Sequence, residues 1–253
     1  MNNNQIYKND FVKKVINNST EIIKQDPLTA DDIKRYRQGK SPRKRKKSLY
    51  NQYNIDVFYR LKRILETLDD LRAVQIFLRQ YPYAKTLRKH KISRTGYAVY
   101  HIESYFLKVA SLKDKLALLI NDVYNLGLPD KKVKIDLLSE MKQLKNSPAV
   151  FLLKKFTKAL DGITSQRNII AHRGKYDDRE ITEIRMYEMV EDKIKPAIFY
   201  TKLLTKLYIN KMLKIFKKNQ VIIEEFLDKF FSPSVQNEFD RRCKITLDPS
   251  AAK

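Results

Sequence analysis

An arginine, an asparagine and a histidine occur within six consecutive positions of the segment SQRNIIAHRGKYDD, residues 165–178. An imidazole exchanges protons near neutral pH, which suits His172 to general acid or base catalysis. The guanidinium of Arg167 is a permanently charged, planar fork that matches phosphate oxygens. The amide of Asn168 can orient either neighbour by a hydrogen bond. These groups could cleave RNA without a metal, which requires a base for the ribose 2′-hydroxyl and a cation for the charge that develops on the phosphorane.

The spacing of Arg167 and His172, with four residues between them, is weak evidence by itself. Arg94 and His101, separated by six residues, fit the same loose pattern. The two pairs differ in context, because RTGYAVYH crosses a glycine near a predicted helix start, whereas RNIIAH lies at the end of a strongly amphipathic helix. This context favours Arg167 and His172 as the functional pair.

The helix that carries the motif is predicted to begin at the NSPAV segment and to end near His172 or Arg173. Ser147 is a suitable N-cap, and Pro148 suits the first helical position, where a missing N–H is tolerated. Gly174 suits the position just beyond the last turn, because it adopts the left-handed conformation without strain. The helix end would leave room for a groove beside the motif.

The apolar stripe of this helix leads to Arg167, because its members recur every three or four residues: Leu153, Phe156, Leu160 and Ile163. A guanidinium on such an inward line is costly unless it is paired. One interpretation is therefore structural: Arg167 pairs with Glu103 or Asp114 inside the protein, and His172 interacts favourably with the helix dipole. The other interpretation is the catalytic one, and the residues alone leave both open.

The best-defined helix of the sequence covers residues 97–126 and ends at Gly127 and Pro129. One side is an ordinary core stripe. The opposite side carries Glu103 and Asp114, which lie eleven positions, or about three turns, apart and so point the same way. This second face either contacts another helix or a second subunit, or it is a solvated face with incidental leucines.

The rest of the chain is also predicted to be helical. Five glycines and eight prolines in 253 residues leave long runs without a helix breaker, which favours an all-α protein. Further helices are predicted over residues 54–81, 134–144, 178–213 with a bend at Pro196, and 214–231, with weaker helical patterning over 11–23. We expect three parts: a polar and basic N-terminal extension (1–54), a helical domain (55–231) and a C-terminal tail (232–253).

The formal net charge of +23 is the strongest compositional signal, and it indicates a polyanionic partner. Residues 34–47 hold nine basic residues and no acidic one, and +14 remains when these nine are set aside, so the charge is also spread over the rest of the chain. We expect RNA contacts from this run and from the end of the motif helix, through Arg43, Lys44, Arg45, Lys46, Lys47, Arg173 and Lys175. The alternative for the run is a solvated segment without a ligand.

Several classes of protein are disfavoured by what the sequence lacks. It has no apolar signal-peptide core near its start and no stretch near the ~18 apolar residues of a membrane span, so we expect a cytoplasmic protein without membrane attachment. The single cysteine, Cys243, excludes an intrachain disulfide. Three histidines without paired spacing argue against a zinc site. No Gly-rich phosphate loop and no Gly-x-Ser-x-Gly motif occurs, and we expect neither a metal nor another cofactor.

The same segments resemble a known family. RNIIAHRGKY, together with HIESYFLKVASLKDKLALLINDVYNLGL at residues 101–128, resembles the HEPN superfamily and, within it, the Cthe_2314-like HEPN group. The resemblance covers about residues 55–230 and leaves out the N-terminal arm. It implies a HEPN-like helical bundle of long antiparallel helices, commonly a homodimer in which two Arg–Asn–His motifs face one cleft. Many members of the superfamily are metal-independent endoribonucleases.

The resemblance implies catalytic roles for Arg167, Asn168 and His172, with Glu103 and Asp114 as supporting residues that position Arg167. The expected function is a HEPN-type endoribonuclease that cleaves single-stranded RNA as a homodimer. Such an enzyme would act as a toxin or a phage-defence effector under an antitoxin or another regulatory protein. The alternative is a catalytically silent HEPN-like module that binds nucleic acid or a protein partner, since the superfamily also has members without demonstrated nuclease activity.

Overall fold

The computed structural model describes the chain at residues 6–27, 29–40, 47–80, 87, 89–145, 147–174, 176, 178–190, 193–231 and 233–247. Within these residues the regular elements are all helical and no strand occurs, which confirms the all-α prediction. Short 3₁₀ turns lie at Ile6–Lys8, Asp130–Lys132 and Lys142–Leu144. The described α-helices are α1 Asp10–Gln25, α2 Ala30–Arg37, α3 Leu49–Gln80, α4 Arg94–Val123, α5 Ile135–Glu140, α6 Pro148–Ala159, α7 Asp161–Arg173, α8 Arg179–Met189, α9 Lys195–Phe230 and α10 Pro233–Leu247.

The residues group into two compact units that do not follow the order of the chain. Unit 1 consists of Met1–Arg63, Lys115–Leu153 and Leu227–Lys253. Unit 2 consists of Ile64–Asp114 and Lys154–Phe226, and it contains the motif helix α7. The long helices α3, α4 and α9 contribute residues to both units.

Unit 1 has an aromatic core that includes both ends of the described chain. The ring of Phe11 in α1 stacks on Phe231 with centroids 5.4 Å apart and meets Phe239 of α10 edge-on at 5.7 Å. Tyr53 of α3 stacks on Phe239 at 5.7 Å and donates a hydrogen bond to the carbonyl oxygen of Val123 at 2.8 Å. Helices α1 and α10 are therefore held by the burial of large apolar side chains.

Residues 233–247, which the sequence analysis assigned to a tail, form the 15-residue helix α10. Val235, Phe239 and Cys243 recur every four residues, and all three are buried. Pro233 occupies the first helical position, where its missing N–H leaves no hydrogen bond unmade. The four-residue spacing of these apolar residues is a local signal for a helix in this part of the sequence.

The helices after residue 178 break at a different place from the predicted one. Helix α8 ends at Met189 and α9 begins at Lys195, so Pro196 lies in the first turn of a new helix instead of bending a continuous one. This position suits proline because the first turn of a helix has N–H groups without intrahelical partners. From there α9 continues for 36 residues without the predicted break near residue 214.

Two predicted helices are confirmed with small shifts at their ends. Helix α3 starts five residues before the predicted residue 54, and α4 covers Arg94–Val123 where 97–126 was expected. Gly127 has a φ of 71°, which is the left-handed conformation that lets the chain turn away after α4. The side chain of Asn121 fixes this turn, because its amide oxygen accepts the Leu128 N–H at 3.1 Å and its amide group donates to the Leu128 carbonyl oxygen at 3.2 Å.

In unit 2, α3 and α4 run antiparallel, as the resemblance implied. Asp70 pairs with Lys108 at 2.5 Å, while Phe77, seven residues further along α3, packs on His101, seven residues further back in α4. Helix α9 packs on α4 through Tyr105, whose ring stacks on Phe216 with centroids 3.6 Å apart. The Tyr105 hydroxyl also donates to the Phe216 carbonyl oxygen at 3.2 Å. This packed core belongs to the same unit as the motif helix.

Candidate functional site

The motif helix is shorter than predicted, because the expected helix over residues 148–173 is two helices. Helix α6 ends at Ala159, and α7 begins at Asp161 after Leu160, whose φ of −108° and ψ of 15° interrupt the helical path. The break precedes an Asp161–Gly162 pair. Aspartate is favourable in a first helical turn, while glycine has a poor helix propensity. The motif therefore belongs to a separate 13-residue helix.

Helix α7 ends as the sequence predicted. Gly174 follows Arg173 with a φ of 72°, and its N–H donates to the carbonyl oxygen of Ile170 at 2.8 Å. This left-handed cap satisfies a carbonyl group of the last turn that would otherwise lack a partner. A residue with a Cβ atom would be strained at this φ, so a glycine is required here by the backbone.

Arg167 has the predicted register but not the predicted environment. It lies four residues after Ile163 and three before Ile170, the two described side chains of α7 that are buried, yet Arg167 itself is exposed. Its long side chain reaches solvent from the edge of the buried stripe. One guanidinium nitrogen, NH1, donates to Oδ1 of Asn168 at 3.1 Å. In the described part of the chain, Arg167 has this neighbour as its partner and forms no ion pair with a carboxylate.

Asn168 and His172 share a face of α7 because they are four residues apart. Both side chains are exposed. Asn168 also accepts the hydrogen bond from Arg167. Its amide therefore contacts the Arg167 guanidinium and shares a face of α7 with the His172 imidazole. The structure thus presents all three polar groups of the motif to solvent near the end of one helix.

The supporting carboxylates lie in different surroundings. Glu103 in α4 is half-buried, and its Oε1 accepts a hydrogen bond from the backbone N–H of Tyr176. It thus binds the chain just after the motif helix, not Arg167. Asp114 is exposed.

The predicted RNA contacts are only partly described. Lys47 is exposed. Arg173 is the last residue of α7. The four basic residues before Lys47 (Arg43, Lys44, Arg45 and Lys46) and Lys175 lie outside the described residues.

A cluster of two tyrosines and one aspartate holds the segment that follows α7. The Tyr176 ring stacks on Phe106 with centroids 5.6 Å apart. Its hydroxyl lies 3.0 Å from that of Tyr208, and both hydroxyl groups are within hydrogen-bond distance of Oδ2 of Asp178, at 3.2 Å for Tyr176 and 2.9 Å for Tyr208. Burial raises the pKa of Tyr176 to about 12, and burial followed by the Tyr176 hydroxyl raises the pKa of Tyr208 well above its ordinary value. Both phenols are therefore protonated over the physiological range.

The same cluster determines where α8 begins. Asp178 is the N-cap of α8, and its Oδ1 accepts the Ile181 N–H at 3.2 Å. Asp178 therefore joins the start of α8 to Tyr208 of α9, and Tyr176 joins it to Glu103. Neither tyrosine was predicted from the sequence to hold the segment that follows α7. Tyr176 could have been found, because it follows the motif directly, but Tyr208 lies 30 residues from Asp178 and has no local signal.

The structure also separates the second Arg–His pair from the motif. Arg94 is buried at the start of α4, where its backbone N–H donates to Oε1 of Glu188 at 2.7 Å. His101 is half-buried and packs against Phe77 at 5.4 Å and Tyr97 at 4.5 Å between ring centroids. Burial lowers the pKa of His101. Arg94 is therefore buried and His101 is half-buried in unit 2, whereas the three motif side chains of α7 are exposed.

Membrane attachment has one structural test. Among the residues that the structure describes, no helix combines the length and the apolar character needed to cross a bilayer.

The all-helical architecture is that of the HEPN class of proteins, and a family match supports this assignment. More narrowly, the family model for Cthe_2314-like HEPN proteins matches residues 3–232, and the chain belongs to this family. The match begins well before residue 55, so the N-terminal helix is part of the family's domain, in agreement with the place of Phe11 in the core of unit 1. No curated protein and no solved structure matches the chain.

Proposed function

We propose that this HEPN protein is a metal-independent endoribonuclease that cleaves single-stranded RNA. One observation carries the proposal: Arg167 is hydrogen-bonded to Asn168, which lies one turn before His172, and all three side chains are exposed on α7. A structural ion-pair role for Arg167 would require a carboxylate partner, and its described partner is an amide. The net charge of +23 favours a polyanionic substrate.

In the proposed reaction the ribose 2′-oxygen attacks the adjacent phosphorus, and the bond from phosphorus to the 5′-oxygen breaks. The products are a 2′,3′-cyclic phosphate and a free 5′-hydroxyl. His172 accepts the 2′-hydroxyl proton or donates one to the leaving 5′-oxygen. Arg167 binds the phosphate oxygens whose charge increases in the transition state, and Asn168 holds the guanidinium in place. Because one imidazole cannot be base and acid at once, a second motif from a partner copy would complete the pair in a homodimer.

The role that suits such an enzyme is that of a toxin or a phage-defence effector under the control of an antitoxin or another regulatory protein. An exposed ribonuclease site is harmful to its own cell unless its activity is controlled.

RNA cleavage in EDTA tests the proposal. The native protein is compared with His172→Ala, Arg167→Ala and Asn168→Ala on a labelled single-stranded RNA. We expect the loss of general acid–base catalysis to slow cleavage by about 10²- to 10⁴-fold for His172→Ala. Loss of the phosphate-binding charge should slow it by about 10²- to 10³-fold for Arg167→Ala. Product ends are identified by their sensitivity to treatments that open cyclic phosphates.

Matched controls come from residues of the same type elsewhere. His90 and Arg179 are also exposed, and Arg179 pairs only with its helical neighbour Glu183 among described residues, so His90→Ala and Arg179→Ala should leave cleavage unchanged. Circular dichroism checks that each variant is folded. Undiminished cleavage by His172→Ala would contradict the assignment of the imidazole, and equal losses in the controls would contradict the assignment of the site.

A catalytically silent module that binds nucleic acid is the second candidate, and the spread of positive charge favours it. The chain retains +14 without the basic run at residues 34–47, so its positive charge is not confined to one segment. This candidate predicts RNA binding that weakens steeply with salt and no cleavage by any variant. Deletion of residues 34–47 should then flatten the salt dependence, and an unchanged slope would remove the run from the RNA interface.

A further inference from the structure

Helix α9 has two sides of opposite character within unit 2. One side faces the core through buried side chains that recur every three or four residues: Thr201, Thr205, Tyr208, Met212 and Phe216. The other side carries large apolar side chains that remain exposed, among them Phe199 at 64%, Leu203 at 41% and Leu207 at 55%. A helix that only completes a core would have polar residues there. The exposed apolar side chains therefore indicate a ligand surface.

The same helix is strongly cationic. Residues 195–223 contain seven lysines and no acidic residue. Lys211 pairs with Glu180, whereas Lys202, Lys206 and Lys214 are exposed and form no ion pair within the described residues. Lysines that lack an ion pair on one helix repel each other, and a polyanion relieves that repulsion.

The apolar and basic residues follow one line along the helix. Successive members are three or four residues apart, which keeps them on one side: Phe199, Leu203, Leu207, Lys211, Lys214 and Lys218. At a rise of 1.5 Å per residue the line is about 28 Å long. Its first half is apolar and its second half is basic.

Three exposed aromatic rings lie together at the apolar end of this line. Phe199 and Tyr200 of α9 have centroids 6.0 Å apart, and Tyr187 of α8 lies 6.0 Å from Tyr200. Tyr200 is 49% exposed and Tyr187 is 44% exposed. Exposed aromatic rings beside lysines are the combination on which single-stranded nucleic acids bind, because bases stack on the rings and phosphates pair with the cations.

We infer that the exposed side of α9, with Tyr187 of α8, binds single-stranded RNA outside the Arg–Asn–His motif. Bases stack on the aromatic residues Phe199 and Tyr200, and the phosphates that follow are bound by the lysines. A second copy is the less favourable occupant, because it would bring the same uncompensated lysines against this surface. The inference rests on the proposed function in taking RNA as the ligand, but it concerns binding and not cleavage.

Fluorescence anisotropy tests this surface with a labelled oligonucleotide of about 12 nucleotides, a length within the range of known single-strand sites. Its riboses are 2′-O-methylated, so it cannot be cleaved by 2′-oxygen attack. We expect Phe199→Ala and Tyr200→Ala each to weaken binding at least about fivefold, since one stacked base contributes that much or more. The matched control is Phe151→Ala, because Phe151 is 69% exposed but belongs to unit 1.

The salt dependence tests the lysines separately. Each phosphate contact contributes about 0.7 to the slope of log K against log salt for a single strand. Lys206→Gln with Lys214→Gln should therefore reduce the slope by about 1.4. The control pair is Lys131→Gln with Lys132→Gln, two exposed lysines of unit 1, which should leave the slope unchanged.

Three results would overturn the inference. The first is binding by the α9 variants that equals binding by the controls. The second is a change from dimer to monomer in Phe199→Ala, measured by light scattering, which would assign the surface to a second copy. The third is displacement of the oligonucleotide by vesicles of phosphatidylcholine and phosphatidylserine but not by unlabelled RNA, which would assign it to a membrane.

This test and the cleavage test fail independently. If His172→Ala abolishes cleavage while the α9 variants bind normally, the proposed nuclease activity is supported and the RNA-binding surface on α9 is contradicted. If neither the native protein nor any variant cleaves RNA but the α9 variants lose binding, the RNA-binding surface on α9 is supported and the proposed nuclease activity is contradicted.

Discussion

The carboxylate of Glu103 in α4 accepts a hydrogen bond from the backbone N–H of Tyr176, two residues beyond the glycine that ends the motif helix. This bond ties α4 to the segment that leaves α7. Tyr176 in turn contacts Asp178 and Tyr208, so the end of α7, the start of α8 and the middle of α9 are held by one set of hydrogen bonds. Glu103 can therefore position the motif through the backbone without touching Arg167.

Removal of the Glu103 carboxylate should destabilise the protein. A hydrogen bond to a charged group contributes about 1.5–3 kcal/mol, so we expect Glu103→Ala to lower the free energy of unfolding by about that amount. Glu103→Gln should cost less, because its amide oxygen still accepts the N–H. Urea denaturation measures the difference. The matched control is Asp114→Ala in the same helix, which is exposed and should change stability by no more than about 0.5 kcal/mol. Equal effects at the two positions would contradict the positioning role of Glu103.

The two tyrosine hydroxyl groups should be energetically coupled. Tyr208→Phe and Tyr176→Phe each remove one buried hydroxyl, and we expect each to cost about 1 kcal/mol of stability. Because both hydroxyl groups contact Asp178, the double variant should differ from the sum of the single ones by at least about 0.5 kcal/mol. A double-mutant cycle by chemical denaturation measures this coupling. Strict additivity would mean that the two residues act separately.

Stability should fall with rising pH in the alkaline range because of Tyr176. Its pKa is raised from 10.0 to about 12 in the folded protein, so the unfolded chain releases this proton first as the pH rises. The raised pKa of Tyr176 contributes on the order of 2–3 kcal/mol to the free energy of unfolding. This contribution is complete below pH ~10 and is lost as the pH approaches ~12. Urea unfolding at several pH values between 9 and 12 measures the loss. Tyr176→Phe should reduce the slope over this interval, and an unchanged slope would contradict the prediction.

The end of the motif helix should depend on the conformation of Gly174. Gly174→Ala places a Cβ in open space but at a φ of 72°, so the strain comes from the backbone alone, and we expect a loss of about 1 kcal/mol or more. Gly162→Ala is the matched control within the same helix, since its Cβ also meets nothing within 4 Å and its φ is not positive. This second change should stabilise the protein by about 0.5–1 kcal/mol. A change in the free energy of unfolding with the same sign in both variants would contradict the requirement for glycine at position 174.

The C-terminal helix should be required for stability. Phe239 is fully buried between Phe11 and Tyr53, and Phe239→Ala should lower the free energy of unfolding by about 3–5 kcal/mol. Leu247, at the end of the same helix, is 65% exposed, and Leu247→Ala should have little effect. Thermal denaturation compares the two variants. A small effect of Phe239→Ala would mean that α10 is peripheral to unit 1.

The features that could be predicted from the sequence alone are local. The all-α class, the left-handed stop at Gly174 and the helix end near Gly127 were all predictable, because caps and helix breakers act within one or two turns of their own position. The choice of RNIIAH over RTGYAVYH also came from local context, and it stays a prediction. The family match over residues 3–232 includes α1, so the sequence also assigns this helix to the family's domain.

The features that could not be predicted depend on contacts between residues that are distant in the sequence. Periodicity placed Arg167 on the buried line of one long helix, and it keeps that register between Ile163 and Ile170, but its long side chain reaches solvent. The bond from Tyr176 to Glu103 spans 73 positions, and the bond from Tyr208 to Asp178 spans 30. Spacing within a helix carries no information about such pairs, because they form only when separate helices pack together. The motif and Glu103 were therefore named from the sequence, whereas the partner of Glu103 and the roles of Tyr176 and Tyr208 were not.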